Sequence, residues 1–401
     1  MTEHTDYRYL IVGGGMVADA AARGIRELDP DGSIGILSKE HVPPATRPAL
    51  SKKLWTDPDF AFDDIWTNTE DDTGAVRHAG VSAVSIDRDE QVVVTDGDAT
   101  VGYQQLLLAT GSEPKRLQLL DDPREFAFRT VEDYERLRDL SGGGKHVAVI
   151  GGSFIATELA AALVQNDTKV TLVFPDEVLG GSTFPDDLAK SIHAKFASHG
   201  VQLVPGARAE SAEVSGERIT LKLSTGENIQ CDAVVEGVGV TPNVELASEA
   251  GLDVEDGVIV DEHLRTTDGH IFAAGDIASY PDRILGRTRV EHVDNATEMG
   301  HKAGRNLAGA LEPYDHTPLF YSDLFDDGYE AVGTLDASLE TVTNHGDEGR
   351  IVYYLDGDQV VGVLLWNEWD KTDDARDAIA NADATDHEAL RHRIPVDGEE
   401  D

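Results

Sequence analysis

The stretch Tyr9–Ala22, YLIVGGGMVADAAA, constrains this chain more than any other. Tyr9 to Val12 read as a buried strand, three glycines follow, and a helix of small residues begins. A strand passing through a glycine turn into a helix is the opening of a dinucleotide-binding βαβ unit. Gly13 permits the tight turn, Gly15 lets a pyrophosphate approach the backbone, and Ala18 lets the helix lie close to the strand. The N–H groups and dipole of the helix start then hold the phosphates. One such loop is weak evidence, since glycine turns after strands are common. Here the pattern recurs in His146–Ala161, HVAVIGGSFIATELAA, with Gly151, Ser153 and Ala156 in the three places. Two loops predict two dinucleotides.

The rest of each unit follows in order. Ser33–Leu37 (SIGIL) is a second strand, whose end should carry an acid for the ribose hydroxyls of an adenosine. Ser38, Lys39 and Glu40 stand there, which assigns the role to Glu40. Three prolines in VPPATRPALSKKLW exclude a regular helix at its start, so the helix begins near Pro48. It presents Arg47 and Lys52; taken on spacing alone, a lysine here is a solvated one. Residues 76–101 alternate as strands with a turn at Asp96-Gly97, and Tyr103–Gly111 is a strand ending in Ala109-Thr110-Gly111. A helix is expected over Val131–Leu140.

In the second unit, Lys169–Phe174 leads to Pro175 and Asp176. An acid there suits the two free ribose hydroxyls of NAD, and no arginine follows to take a 2′-phosphate, so NADH is expected over NADPH. A helix over Phe184–His199 and strands at Val201–Val204, Ile219–Leu223 and Ala233–Gly237 complete this unit, with Gly239 in its exit. Ile271–Ala278 (IFAAGDIA) leaves Asp276 at a strand end, where the plain alternative is a helix N-cap. The next helix starts within Glu291–Thr297. Residues 313–396 alternate again and read as a separate small domain that runs into the acidic tail DGEED.

Lys plus Arg is 33 against 76 Asp plus Glu, a formal charge of −43. Such a surface repels phosphate backbones and anionic lipid, which argues against nucleic-acid and membrane-surface binding. A hydrophobic content of 40% argues against disorder, and an acidic coat of this kind suits a halophile's high-salt cytoplasm. Cys231 is the single cysteine, so an internal disulfide and a cysteine-based metal cluster are both excluded. With neither a basic leader nor a long apolar run, a soluble, cytoplasmic protein without a metal site is expected.

Taken together, Tyr9–Ala18, Ala109–Gly111, Val147–Ala156 and Ile271–Ala278 resemble the FAD-dependent pyridine nucleotide-disulfide oxidoreductases. Arg47–Trp55 (RPALSKKLW), RVEHVDNATEMGHKAGRNLAG (Arg289–Gly309), Tyr314–Gly333 and VGVLLWN (Val361–Asn367) are similar to the apoptosis-inducing-factor-like branch. That branch lies near the NADH-dependent ferredoxin and rubredoxin reductases. The resemblance implies an α/β protein with two Rossmann-like, glutathione-reductase-like domains and a C-terminal α+β domain. The FAD domain would comprise residues 1–115 and 245–312, the NAD domain 116–244, and the C-terminal domain 313–396.

Carried over by residue, the resemblance gives Gly13, Gly15 and Ala18 the FAD pyrophosphate, with Ala109, Thr110 and Gly111 close to the cofactor. Asp276 would bond the ribityl chain, and Lys52 would lie beside the flavin paired with Glu158. His292 would flank the ring, while Phe320 and Tyr321 would wall its far side. Gly151, Ser153, Asp176 and Gly239 would bind NADH. NADH would pass a hydride to the flavin near Glu158, with the helix start at Glu291–Thr297 stabilising the reduced ring's charge. Taken singly, Glu158 reads as a surface acid, His292 as a satisfied buried histidine, and the two aromatics as core.

The chain departs from the disulfide reductases in having no cysteine pair, and from its relatives in Lys39. Three functions remain open at this point. Electrons could pass from NADH to a small redox protein, or to oxygen or a quinone. The alternative is an NADH-sensing interaction protein with a long-lived flavin–NAD charge-transfer complex and an NADH-dependent homodimer.

Overall fold

In a computed structural model the described residues are 4–397, so the acidic tail from Gly398 onward lies outside them. The chain divides into two compact units, which are taken separately. The first comprises the described part of Met1–Thr46 together with Asp63–Glu113 and Thr241–Pro318; the second comprises Arg47–Phe62, Pro114–Val240 and Leu319–Asp401 as far as described.

The first unit is built on a sheet of seven strands among the described residues. Its parallel part runs Val76–Ala79, Ile34–Ser38, His4–Val12, Thr100–Leu108, with Ile271–Ala273 also parallel to the last. Val12 sits in register with both Leu37 and Leu108, and Leu108 with Ala273. Four carboxyl ends therefore line up beside the Gly13 turn, the usual ligand edge of a parallel sheet. Leu10, Ile11, Ile36, Leu106 and Leu107 are fully buried, because strands covered on both faces need continuous apolar runs.

Helices Met16–Leu28 and Val293–Leu307 bury small residues in this unit's core and meet each other at backbone-level contact. A Cβ on Gly304 would sit 2.1 Å from the Ala21 carbonyl oxygen, and one on Gly24 would sit 2.2 Å from that of His301. These are the reason the two helices are written in glycine and alanine.

Among the described residues the second unit holds three sheets. A five-stranded parallel sheet runs Gln202–Val204, Lys169–Val173, His146–Ile150, Ala233–Glu236, Glu125–Ala127. A three-stranded antiparallel sheet, Ala209–Ser215, Arg218–Leu223 and Asn228–Cys231, accompanies it. The C-terminal sheet is antiparallel, in the order Leu319–Leu324, Asp327–Gly333, Gln359–Trp366, Arg350–Asp356, Glu340–His345, with helix Thr372–Asn381 on one face.

Local differences from the sequence reading have physical causes. The helix at Pro48 ends after Ser51 and restarts at Lys53, with Lys52 itself outside helical geometry at φ −124° and ψ −98°. The helix expected from Phe184 starts at Asp186, since Pro185 can stand only at its edge. In the Val92–Thr95/Thr100–Leu108 hairpin the left-handed residue is Asp98 rather than Gly97, so the loop spans four residues. Short strands such as Ala278–Asp282 and Ala209–Ser215 carry too few apolar residues to show a period.

Candidate functional site

In the first unit the Gly13 turn is shaped for a close ligand. Gly13 takes φ +127°, and a Cβ there would lie 1.9 Å from the Ala109 carbonyl oxygen. Only glycine allows the strand Thr100–Leu108 to bring Ala109 this near. The Gly14 position is equally tight against Ser38, whose hydroxyl would be 2.1 Å from a Cβ. Gly15 is the extended N-cap of helix Met16–Leu28 and offers no side chain to the first turn. Ala18 is fully buried, as close helix–strand packing requires.

Beside this turn, Thr110 and Gly111 are locked to Asn243. The Thr110 hydroxyl donates to the Asn243 carbonyl at 2.7 Å, and the Asn243 amide donates back to the Thr110 carbonyl at 2.9 Å. The Asn243 N–H also donates to the Gly111 carbonyl at 2.9 Å. Asn243 follows the glycines of the second unit's exit in the sequence, where nothing marks it for this role.

Asp276 lies inside the single turn Gly275–Ile277, whose N-cap is Ala274, so it is not the cap; its backbone carbonyl accepts from Arg289 at 2.9 Å. His292 is the N-cap residue of helix Val293–Leu307. Glu40 is half-buried just past Ser38, and its carbonyl accepts the Ser38 hydroxyl at 3.0 Å. Lys39 reaches the surface acid Glu113 at 3.1 Å.

The second unit repeats the turn. Gly151 takes φ +129°, with the Gly237 carbonyl oxygen 2.2 Å from where a Cβ would stand. Ser153 is the N-cap of helix Phe154–Val164 but does not cap it, its hydroxyl turning to the Gly237 carbonyl at 3.5 Å. Asp176 lies beyond the carboxyl end of strand Lys169–Val173, half-buried, with its carbonyl accepting from Gly206. Gly239, at φ +95°, accepts the Lys115 N–H at 2.9 Å. Arg47 donates to the Arg129 carbonyl at 3.1 Å.

Lys52 and Glu158 meet within this unit. Lys52 Nζ lies 2.9 Å from Glu158 Oε1, with side-chain exposures of 12% and 5%. The break in the helix at Lys52 and the inward face of Phe154–Val164 bring them together. Two serines complete the carboxylate's shell. Ser51 Oγ donates to Oε2 at 2.6 Å, and Ser322 Oγ donates to Oε1 at 2.8 Å. The Lys52 ammonium also stands 4.2 Å from the centre of the Tyr321 ring, within cation–π range. Phe320 packs edge-on against Phe154 at 5.6 Å. So Lys52, Glu158 and Tyr321 form one cluster, with Phe320 packed on Phe154 of the same helix as Glu158. The two serines went unread because lone serines carry no pattern.

Below the second turn sits a pair of buried acids that the sequence reading also missed. Glu125 accepts the N–H groups of Leu119 and Leu120 at 2.9 and 2.6 Å, and Glu236 accepts that of Leu117 at 3.0 Å. Burial, followed by the neighbouring Glu125 carboxyl, pushes Glu236 up to about 7. Two acids buried side by side disfavour ionisation of both, and Glu236 holds its proton the harder for it. Cys231, by contrast, is an inert thiol, pushed up to about 12 by burial.

Both turns and the sheet edges that flank them fit the family models. Residues 7–300 match the model described as "Pyridine nucleotide-disulphide oxidoreductase". The chain belongs to that family. Residues 303–348 match a second model, "Apoptosis-inducing factor, mitochondrion-associated, C-term". The chain is 30% identical to the putative mitochondrial apoptosis-inducing factor 1 of Drosophila melanogaster over 92% of its own length and 63% of that protein's. It is 35% identical to the ferredoxin–NAD(+) reductase component of the anthranilate 1,2-dioxygenase system of Burkholderia cepacia, over 87% and 88%. Its fold matches the ferredoxin reductase for the CYP199A2 system of Rhodopseudomonas palustris with a TM-score of 0.81 and 28% identity, over 94% and 98%. Despite the family's name, this oxidoreductase-family chain has one cysteine and no dithiol. Among the described residues no helix is long and apolar enough to cross a membrane.

Proposed function

We propose that this oxidoreductase-family chain is an FAD-dependent NADH oxidoreductase that hands electrons to a separate acceptor without a redox disulfide. The observation that carries the reading is the pair of matched turns, Gly13 and Gly151, each with a carbonyl where a Cβ would be. Each turn opens a helix that no side chain caps, which leaves its first-turn N–H groups for a pyrophosphate. FAD, when bound, accepts two electrons from a nicotinamide and releases them to an acceptor.

The chain's own residues do the rest. Gly13, Gly15 and Ala18 seat the FAD pyrophosphate, and the Thr110–Asn243 lock fixes the neighbouring backbone. By the resemblance, Glu40, Arg47, Ala109, Gly111, Asp276, His292, Phe320 and Tyr321 complete the flavin's surroundings. Gly151, Ser153 and Gly239 seat NADH, and Asp176 takes its ribose hydroxyls and repels a 2′-phosphate. Lys52, held by Glu158, supplies a fixed positive charge whose hydration has been replaced by protein dipoles.

The acceptor is a small redox protein, a quinone or oxygen, and −43 of charge disfavours an acidic protein partner at low salt. The test is stopped-flow reoxidation of the NADH-reduced protein by each acceptor class over a range of salt. Reoxidation by a redox protein that quickens with salt supports the first class. Reoxidation by none of the three contradicts the reading. We propose a cytoplasmic location on the same acidic composition.

A further inference from the structure

Lys52 stands at a break in the chain, between helices Pro48–Ser51 and Lys53–Thr56. Such a break parts backbone carbonyls from the N–H groups that a continuous helix would bring to them, and buried carbonyls need donors. One donor here is a side chain. Trp55 Nε1 donates to the Leu50 carbonyl at 2.7 Å, in a buried contact that spans the lysine. The Lys52 carbonyl in turn accepts the Trp55 backbone N–H at 2.9 Å. Trp55 therefore grips the chain both before the lysine and at it.

Trp55 is itself fixed from two sides. Its buried ring meets Tyr134 edge-on at 5.4 Å, and the Arg138 guanidinium lies 4.6 Å from a ring centre, within cation–π range. Tyr134 and Arg138 are one turn apart on helix Val131–Asp139. On the other side, the Trp55 carbonyl accepts Asn166 Nδ2 at 2.9 Å, and the same amide donates to the Ala162 carbonyl at 2.9 Å. Asn166 lies just past helix Phe154–Val164, and Ala162 is one turn beyond Glu158 within it. Both halves of the ion pair are thus referred to one helix. Glu158 grows from it, and Lys52 is tied to its end through Trp55.

We propose that Trp55 is a positioning residue whose indole N–H holds the break at Lys52, so that the ammonium meets Glu158. The kinetic consequence rests on the proposed NADH oxidoreductase reading; the placing of the lysine does not. A hydrogen bond between neutral groups shifts an equilibrium by about fivefold. Phenylalanine keeps an aromatic ring at the site but has no N–H to donate, so it isolates the indole's contribution.

The test compares flavin-loaded wild type with Trp55→Phe, Lys52→Ala, the double variant and Asn166→Ala. Two readouts are taken: anaerobic reduction over a range of NADH concentrations, and pulse acylation of lysines read by peptide mass spectrometry, with the exposed Lys169 and Lys222 as references. Trp55→Phe should lower the limiting reduction rate about fivefold, with NADH affinity within about twofold of wild type. Acylation of Lys52 should quicken about fivefold while the two reference lysines stay as they were. In the Lys52→Ala background the same substitution should change the rate by less than about twofold, because it acts through the lysine. A loss of equal size in both backgrounds, or acylation rising at all three lysines together, marks a general structural role and overturns the proposal. Wild-type rate and wild-type Lys52 acylation in Trp55→Phe overturn it too. Asn166→Ala removes the donor to the Trp55 carbonyl and should move both readouts the same way, so it decides the question if Trp55→Phe does not fold. If NADH does not reduce the wild type, the function is wrong, while the acylation pattern still decides the positioning role.

Discussion

Replacing Glu236 by Gln should stabilise the protein, and only at neutral to alkaline pH. Glu236 and Glu125 are buried together, with three backbone N–H groups of Leu117, Leu119 and Leu120 as their other partners. A glutamine keeps the shape, donates its amide hydrogen to Glu125 and still accepts from Leu117. The sign follows from proton uptake. Glu236 titrates near 4.5 when unfolded and is raised to about 7 when folded, so between these values the folded state binds the extra proton. The stability this contributes is complete below the unfolded value and is lost as pH rises through about 7. At about 1.4 kcal/mol per tenfold change in proton affinity, the ceiling is roughly 3 kcal/mol. Solvent screening and the nearby Arg116 charge reduce this to about 1–2 kcal/mol. The assay is the thermal midpoint of wild type and Glu236→Gln at about pH 5 and about pH 8.5, at one ionic strength. The acidic coat's self-repulsion grows with pH in both proteins and cancels in the difference. A gap of about 1–3 °C should open at the higher pH and close at the lower. A gap of the same size at both would refute the raised proton affinity of Glu236.

Lys52→Ala removes the cation from a nearly dry pair whose disruption is worth about 3–5 kcal/mol at most, so NADH reduction of the flavin should slow at least about tenfold. A wild-type rate in stopped flow would remove Lys52 from the site. Gly13→Ala would push a methyl into the Ala109 carbonyl, so the protein should purify with little flavin, read from its visible absorbance; full flavin content counts against the cradle. Asp176→Ala should narrow the preference for NADH over NADPH about tenfold or more, measured as the ratio of kcat/KM, and an unchanged ratio would place the ribose elsewhere.

Several elements were legible because their signal is local. A strand, a glycine turn and a small-residue helix are contiguous, and both copies stand where the sequence puts them, from Gly13 and Gly151 onward. The Lys52–Glu158 contact joins two distant segments, and nothing local in either marks the partner; only the family resemblance brought them together. Ser51 and Ser322 are common residues whose role exists only in three dimensions. The buried acids left a trace that was not used: an ionisable residue within each of the apolar strands EFA and AVVE. An acid in a strand buried on both faces needs donors, and the N–H groups of Leu117, Leu119 and Leu120 supply them. The restart of the helix at Lys52 was hidden because ALSKKLW has good helix formers throughout.

The most direct measurement is an anaerobic titration of the purified protein with NADH, followed by its visible spectrum. The account predicts a yellow protein whose flavin bleaches at about one NADH per chain, with NADPH far slower. A colourless protein whose spectrum ignores added FAD and NADH would contradict it.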